Sequence, residues 1–457
     1  MTTTLSTPKI IRQVSIEAMS ATIDPRAGLA WAYEDGPLGE LGELLPTWTV
    51  EPDIEVITDI VRRKLNIPEV FPCVVELLAQ GAFNKVYTVQ CGGNSNVIVR
   101  VTLPVQPHLK TLSERATIEY VRHHTDIPIP QVLEYNAIRD DELGFEWMIM
   151  DRVEGTKVTE QWKHMSWLKK ELLVRKVITY LAQLFRKRFH RLGNLYATED
   201  IQQMSTKDMP DAVFLGAEHS SHTVRFGLGE VVSIPFFYND HGGIDVPRGP
   251  YKHSRDWLAT CLRLYLHDAD NINASNKTVD PNSVEAIKSR IQRMLNFLPQ
   301  IFPADEREEY TLIHQDLSDN NMMVDENHDL SGFIDWECVY TVPLWLACQL
   351  PRFLRGQNCQ HPPLYATEFE NEYYESAYYE DLELYEKTQL REFFFEEMER
   401  ICPEWMRVHE ASSIKADFEF AVNVCTMRGY LQDIDEWLDS VENGDEVESL
   451  RERLGQC

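Results

Sequence analysis

The stretch Leu312-Ile313-His314-Gln315-Asp316-Leu317-Ser318-Asp319-Asn320-Asn321, followed by Gly332-Phe333-Ile334-Asp335-Trp336-Glu337, holds residue types that could do chemistry together. It sets two carboxylates and an amide at fixed intervals: Asp316, Asn321 five residues on, and Asp335 beyond. Phosphoryl transfer from a nucleotide needs such a set. One carboxylate orients and deprotonates an attacking hydroxyl, while an amide and a second carboxylate hold Mg²⁺ on the triphosphate. Mg²⁺ prefers hard oxygen ligands of this kind. The bland alternative makes Asp316 a turn acid and Asp335 a hairpin-end acid.

Elements must position these groups. Met322–Val324 and Gly332–Ile334 predict a β-hairpin around Asp325-Glu326-Asn327-His328-Asp329. Upstream, short β-like runs cover Val74–Ala79, Lys85–Gln90 and Asn96–Val101, separated by Gly81-Ala82-Phe83-Asn84 and by Cys91-Gly92-Gly93-Asn94. A helix is expected from Ser113, with Glu114 in its first turn, ending before Asp126-Ile127-Pro128-Ile129-Pro130. Strands at Gln131–Tyr135 and Trp147–Val153 complete five strands around one helix. Beyond Gly155 the pattern turns helical. Ser166 is placed to cap a helix with Leu168, Leu172, Val177, Leu181, Leu184 and Phe185 on one apolar face. Residues 200–250 read as a long irregular insertion, and Asp256–His267 and Val284–Leu298 as helices flanking the Asn/Asp-rich loop Asp268–Asn282. Asp53–Leu65 reads as a short amphipathic helix, and residues 1–50 lack periodicity and read as an extension over the surface.

The pattern His314-x-Asp316-x-x-x-x-Asn321 with Ile334-Asp335-Trp336-Glu337 resembles the aminoglycoside/choline-kinase-like phosphotransferases, within the protein-kinase-like fold, over about residues 71–355. The resemblance implies an α+β, two-lobed chain. A small antiparallel-sheet N-lobe with one helix (71–153) would follow an N-terminal extension (1–70). A larger, mainly helical C-lobe (154–457) would carry the catalytic loop (312–337) and acidic C-terminal helices. It implies Asp316 as catalytic base, Asn321 and Asp335 as metal ligands, and ATP and Mg²⁺ as cofactors. Gly81, Ala82, Phe83 and Asn84 fall where the family has its nucleotide-covering loop. Arg100 falls where relatives have a Lys or sometimes an Arg for the α/β-phosphates, and Glu114 where its ion-pair partner sits. An Arg can grip both, so the exchange is chemically workable. The alternative for Arg100 is a surface residue on an edge strand, with Lys85 or Lys110 taking the phosphates. Met150-Asp151-Arg152-Val153 matches the hinge, where backbone groups of Asp151 and Val153 would meet adenine. Phe236-Phe237-Tyr238, Arg248-Gly249-Pro250, Trp257 and Pro343-Leu344-Trp345 resemble the fungal branch of that family.

The resemblance implies transfer of the γ-phosphate to a hydroxyl of a small-molecule acceptor. A protein kinase is the poorer match: Gln315 stands where regulated kinases usually have Arg, and seven residues separate Asp335 from Pro343, leaving an activation loop no place. A nucleotide-binding pseudokinase is a further alternative, left open by Arg100.

Composition bounds the rest. A chain of 457 residues suits two or three lobes, and 43% hydrophobic with 26% charged residues marks an ordinary globular protein. The net charge of −29 disfavours a nucleic-acid partner. No apolar run approaches the ~18 residues of a membrane span. Nine scattered cysteines without CxxC read as reduced thiols, and the location reads as cytoplasmic. Met1–Ser15, with Lys9, Arg12 and no acid, has a transit-peptide-like composition that makes a mitochondrial address the second reading. Residues 368–400 hold twelve acids against three bases, with Tyr373, Tyr374, Tyr378, Tyr379 and Tyr385 interleaved. They read either as a solvated helix face or as a wall for a cationic acceptor.

Overall fold

The computed structural model describes residues 24–34, 43–92, 95–204, 209, 211–219, 225–272, 280–364, 372–445 and 447–455. Met1–Ser15, Gly93-Asn94, residues 273–279 and the acids Glu368 and Glu370 lie outside them.

A hairpin of β1 (Leu29–Glu34) and β2 (Glu43–Trp48) occupies part of the segment expected to be an irregular extension. Its Leu29, Trp31 and Trp48 pack with Phe83, Leu103 and Val105, so tertiary burial stabilises strands whose local pattern is weak. α1 (Ile54–Leu65) starts where Asp53 accepts the Glu55 amide at 2.8 Å.

The main sheet contains β3 (Cys73–Gln80), β4 (Asn84–Cys91), β5 (Ser95–Thr102), β6 (Val132–Asn136) and β7 (Glu146–Asp151), all antiparallel, in the order β3-β4-β5-β7-β6. β5 is therefore central. Alternation gives the sheet two faces. Tyr87, Val89, Val97, Val99 and Val101 cluster with Ile57, Ile60 and Val61 of α1. Ile98, Met148 and Met150 belong to the large core shared with the helical part. Arg100 pairs in register with Val86 and Met148 on this second face, whereas Lys85 pairs with Val101 on the first.

α2 (Leu109–His124) begins four residues before the predicted start, which puts Glu114 in its second turn. A distant carboxylate fixes the start: Glu146 of β7 accepts from the His108 amide (2.8 Å) and the Thr111 hydroxyl (2.5 Å). Local N-cap logic could not find it.

Cys73 and Cys91 face each other across β3 and β4 and form a disulfide. The expectation of reduced thiols throughout fails at this pair, because hairpin register brings together residues 18 positions apart.

β8 (Thr156–Lys157) follows Gly155, whose φ of +118° and close approach to the Val324 carbonyl exclude a side chain. α3 (Trp167–Phe185) is capped by Ser166 as expected. Its buried stripe runs through Leu173, Val174, Val177, Ile178, Leu184 and Phe185, while Leu168 and Leu172 are exposed. The predicted face was rotated at its N-terminal end, because Lys170 turns inward to Glu386 and the Trp162 ring. Part of the 200–250 insertion is ordered by pairing: β9 (Asn194–Ala197), β10 (Val213–Phe214) and β11 (Phe226–Gly229) form a sheet in the order β10-β11-β9.

α4 (Ser254–Asn271) and α5 (Pro281–Ile301) precede β12 (Tyr310–Leu312). The expected hairpin is β13 (Met322–Val324) with β14 (Leu330–Phe333), and β8 adds to its open side. β15 (Thr341–Pro343) pairs with β12. α6 (Glu372–Ile401), α7 (Pro403–Glu410), α8 (Ser413–Val424) and α9 (Leu431–Asn443) complete the helical part. Among the described residues no helix is long and apolar enough to cross a membrane.

Candidate active site

Asp316 and Asn321 lie on the loop between β12 and β13, and Asp335 lies just beyond β14. Backbone bonds fix their separation. The Asn321 carbonyl accepts the Ile334 amide at 3.0 Å, so the amide-bearing residue is tied to the residue before Asp335. Asn321 Nδ2 donates to both the Asp316 carbonyl (2.9 Å) and Asp316 Oδ2 (3.0 Å). Its Oδ1 is the atom left over. His314 Nε2 donates to the Ile334 carbonyl at 2.9 Å, and burial holds this imidazole below its ordinary pKa, hence neutral. Asp335 has φ +66°, a left-handed conformation that costs a non-glycine residue of order 1 kcal/mol or more. The His314 bond on one side and Arg100 on the other hold it there.

Arg100 is buried, on the central strand, which removes the surface-arginine alternative. Its Nη1 lies 2.6 Å from Glu114 Oε1 and its Nη2 2.9 Å from Asp335 Oδ1. A third carboxylate, Glu337, is 3.6 Å away. Burial opposes the guanidinium's charge, but Glu114, Asp335 and Glu337 outweigh it and raise its pKa above the ordinary value.

Glu337 also joins three elements. Its Oε2 accepts from Lys110 of α2 and from Asn84 Nδ2 at the start of β4 (2.6 Å). Lys110 in turn donates to Asn84 Oδ1 at 3.1 Å, and Thr102 does so at 3.0 Å. Burial pushes the Glu337 carboxyl up, yet Lys110 and Arg100 pull it down to about 2. The sequence alone gives Glu337 no role and offers Lys110 only as the alternative to Arg100. The available signal was spacing: Lys110 and Glu114 are four apart, on one face of a helix.

The other candidates divide. Gly81 and Ala82 are exposed, and a side chain added at Gly81 would meet only open space. Phe83 is buried, edge-on to Phe237 at 5.0 Å, and the Asn84 amide is engaged by Glu337. Met150 is buried at the end of β7. The Asp151 amide donates to the Gln131 carbonyl (2.9 Å), so it is used within the sheet, and Val153 follows the strand. Lys85 pairs with Glu51 beside the Trp48 ring, on the far face from Arg100.

Asp316 and Asp335 open onto a cleft of about 680 Å³. Ala82 and Phe83 form part of its wall, and Trp257, Tyr238, Tyr265 and Tyr340 supply aromatic surface. Its carboxylates are Asp268, Asp316, Asp335, Glu337 and Glu419, and among the described lining residues there is neither Lys nor Arg. Asp268 is held by His241 (2.7 Å) and Asn239 (2.9 Å). Glu419 accepts from Asn423 at 2.6 Å, and burial raises its carboxyl above the ordinary value. No residue of α6 is among the described lining, so the acidic, tyrosine-rich helix Glu372–Ile401 does not wall this cleft. A larger cavity of about 1150 Å³, between α1, α2 and β6, contains none of the candidate residues.

The donor set suits Mg²⁺. Among the described residues no group of three His, Cys, Asp or Glu could hold a metal by itself. Mg²⁺ is typically bound through one or two protein oxygens completed by phosphates and water, and Asp335 with Asn321 Oδ1 offers that.

A model described as the phosphotransferase enzyme family matches residues 74–345. The subtelomeric hrmA-associated cluster protein of Aspergillus fumigatus is 27% identical over 180 residues, covering 39% of this chain and 33% of that protein. The mitochondrial protein named altered inheritance of mitochondria protein 9, from Yarrowia lipolytica, is 23% identical over 283 residues, covering 57% of this chain and 48% of its own length. This chain thus matches half or less of those two relatives. A solved gentamicin complex of APH(2")-IIa aligns with a TM-score of 0.42 at 15% identity, over 87% of this chain and 93% of that one.

Proposed function

Because the chain belongs to the phosphotransferase enzyme family, we propose that it is an ATP- and Mg²⁺-dependent kinase that moves the γ-phosphate to a hydroxyl of a small-molecule acceptor. The observation that carries this reading is that Asp316 and Asp335 open onto one cleft, with Asn321 bonded to Asp316 and Arg100 against Asp335. Mg²⁺, when bound, neutralises charge on the phosphates. Asp335 and the free oxygen of Asn321 would hold it. Arg100 faces the α/β-phosphates, and the turn at Gly81-Ala82 covers them. Val153, rather than the amide of Asp151, offers the hinge N–H to adenine. Asp316 orients the acceptor hydroxyl. The acceptor oxygen bonds to the γ-phosphorus, the bond to the bridging oxygen breaks, ADP leaves, and the hydroxyl proton passes to Asp316.

The acceptor is cationic in this reading. Five carboxylates and five Phe, Tyr or Trp side chains line the cleft, and a bound cation would stabilise the ionised form of Glu419. The charge therefore comes from Asp268 and Glu419 rather than from α6. A mitochondrial address is favoured over a cytoplasmic one by the name of the Yarrowia relative, and imaging of the tagged full chain distinguishes the two.

The test is Asp316→Asn. It loses phosphoryl transfer by about 10²–10⁴-fold while MgATP still stabilises the protein. More than about a tenth of the wild-type rate refutes the base assignment. A second reading, a pseudokinase, is favoured by one observation: Arg100 occupies one of the two Asp335 oxygens and competes there with a metal. Wild-type protein that binds MgATP without any turnover would select it.

A further inference from the structure

Both oxygens of Asp316 are engaged. Oδ2 accepts from Asn321 at 3.0 Å, and Oδ1 accepts from Arg352 Nη1 at 2.7 Å. A carboxylate that takes a proton from an incoming hydroxyl must give up one of these partners. Asn321 is buried and bonded to the loop at two points, so it stays. The Arg352 side chain is 64% exposed and its pair with Asp316 is solvated, so parting them costs little. The base of the arginine is nevertheless fixed. It starts a short helical turn, Arg352–Leu354, whose Phe353 amide bonds the Leu317 carbonyl at 3.1 Å and whose Phe353 and Leu354 side chains are buried in the core. A guanidinium on a rigid stem is thus held beside the atom that meets the acceptor.

Charge on the acceptor side of the reaction makes this position matter. His314–Asn321 contains neither Lys nor Arg, and the described cleft lining adds none. Arg100 lies on the Asp335 side. Lys387 reaches the loop at Asp319 but is shared with Glu383 and lies over the Trp162 ring. A phosphoryl group in transit spreads negative charge over its equatorial oxygens, and a cation placed there stabilises the transition state. We propose that Arg352 is a further catalytic residue: it leaves Asp316 as the acceptor hydroxyl arrives and meets the oxygens of the transferring phosphoryl group. This rests on the phosphotransfer reading above.

The experiment uses the full chain, with water in the place of the acceptor hydroxyl. Titration with MgADP is compared with titration by MgADP plus aluminium fluoride, a mimic of the phosphoryl group in flight. Wild type is expected to bind the fluoroaluminate complex more tightly than MgADP. Arg352→Ala keeps its MgADP Kd within about threefold, which also reports that the fold is intact. It loses about 10³-fold of the tightening by aluminium fluoride, the low end for an arginine acting on phosphoryl transfer. Arg352→Lys retains part of it. Equal tightening in wild type and Arg352→Ala overturns the role of Arg352 and leaves the phosphotransfer reading standing. A wild type that binds MgADP without any tightening overturns both.

Discussion

Replacing Glu337 with Gln tests whether the joint between the turn before β4, α2 and the segment after Asp335 is electrostatic. Glu337 is held at about 2 against an ordinary 4.5, because Lys110 and Arg100 outweigh the penalty of burial. Only 16% of its side chain is exposed, so solvent screening is slight. A depression of that size is worth about 3 kcal/mol at neutral pH. The sign follows from linkage: a carboxyl depressed on folding contributes its full stability above the unfolded value. That contribution is lost as pH falls through the folded one. Worked at single pH values, the contribution is still about 3 kcal/mol at pH 4.5 and falls to about 1 kcal/mol at pH 3. Glu337→Gln keeps the shape and cannot ionise. It is therefore expected to be about 3 kcal/mol less stable than wild type by urea denaturation at pH 7, with the difference less than half as large near pH 3. A difference below about 1 kcal/mol at pH 7, or one that does not shrink with acid, refutes the reasoning.

Two further outcomes follow from the same geometry. Arg100→Ala raises the nucleotide KM by about tenfold or more through loss of charge-assisted bonds, whereas Arg100→Lys keeps part of the activity; normal nucleotide binding by Arg100→Ala would move the phosphate grip elsewhere. Asp268→Asn combined with Glu419→Gln raises the KM for a cationic acceptor by about tenfold, in a salt-sensitive way and with the ATP KM unchanged; an unaffected acceptor KM would remove the cationic reading.

Local pattern carried much of the fold. Alternating β-formers around Gly81 and Gly92 located the three-strand meander to within a residue or two, and Asp53 and Ser166 cap helices where their side chains reach free amides. Elements held by distant partners were misplaced. α2 starts at Leu109 because Glu146, 37 residues on, receives the His108 amide. β1 and β2 exist because Trp31 and Trp48 pack against the small core cluster around Phe83 and Leu103. The Cys73–Cys91 disulfide needed the register of β3 on β4.

The candidate site divides in the same way. Asp316, Asn321 and Asp335 were legible because a loop and a hairpin bring them together, so spacing alone encodes their proximity. The groups that tune them are separated in sequence and were not. Lys110 and Asn84 meet Glu337 across 227 and 253 positions, and no window of sequence contains both partners. Arg352 sits 36 residues past Asp316, on a turn whose only local signal is Pro351. Asp268 and Glu419 come from two helices, α4 and α8. A buried cation surrounded by acids does leave one trace in a sequence: a charged residue in an otherwise apolar strand. Arg100 in Val97-Ile98-Val99-Arg100-Val101 is that trace. Burying it without partners would cost several kcal/mol, so a strand of this composition requires carboxylates from elsewhere in the chain. Glu114, Asp335 and Glu337 are those carboxylates, and Asp335 and Glu337 come from the same segment that follows β14. The strand that would grip the phosphates and the loop that would hold the metal are thereby coupled, so a change at either one reaches the other through Arg100.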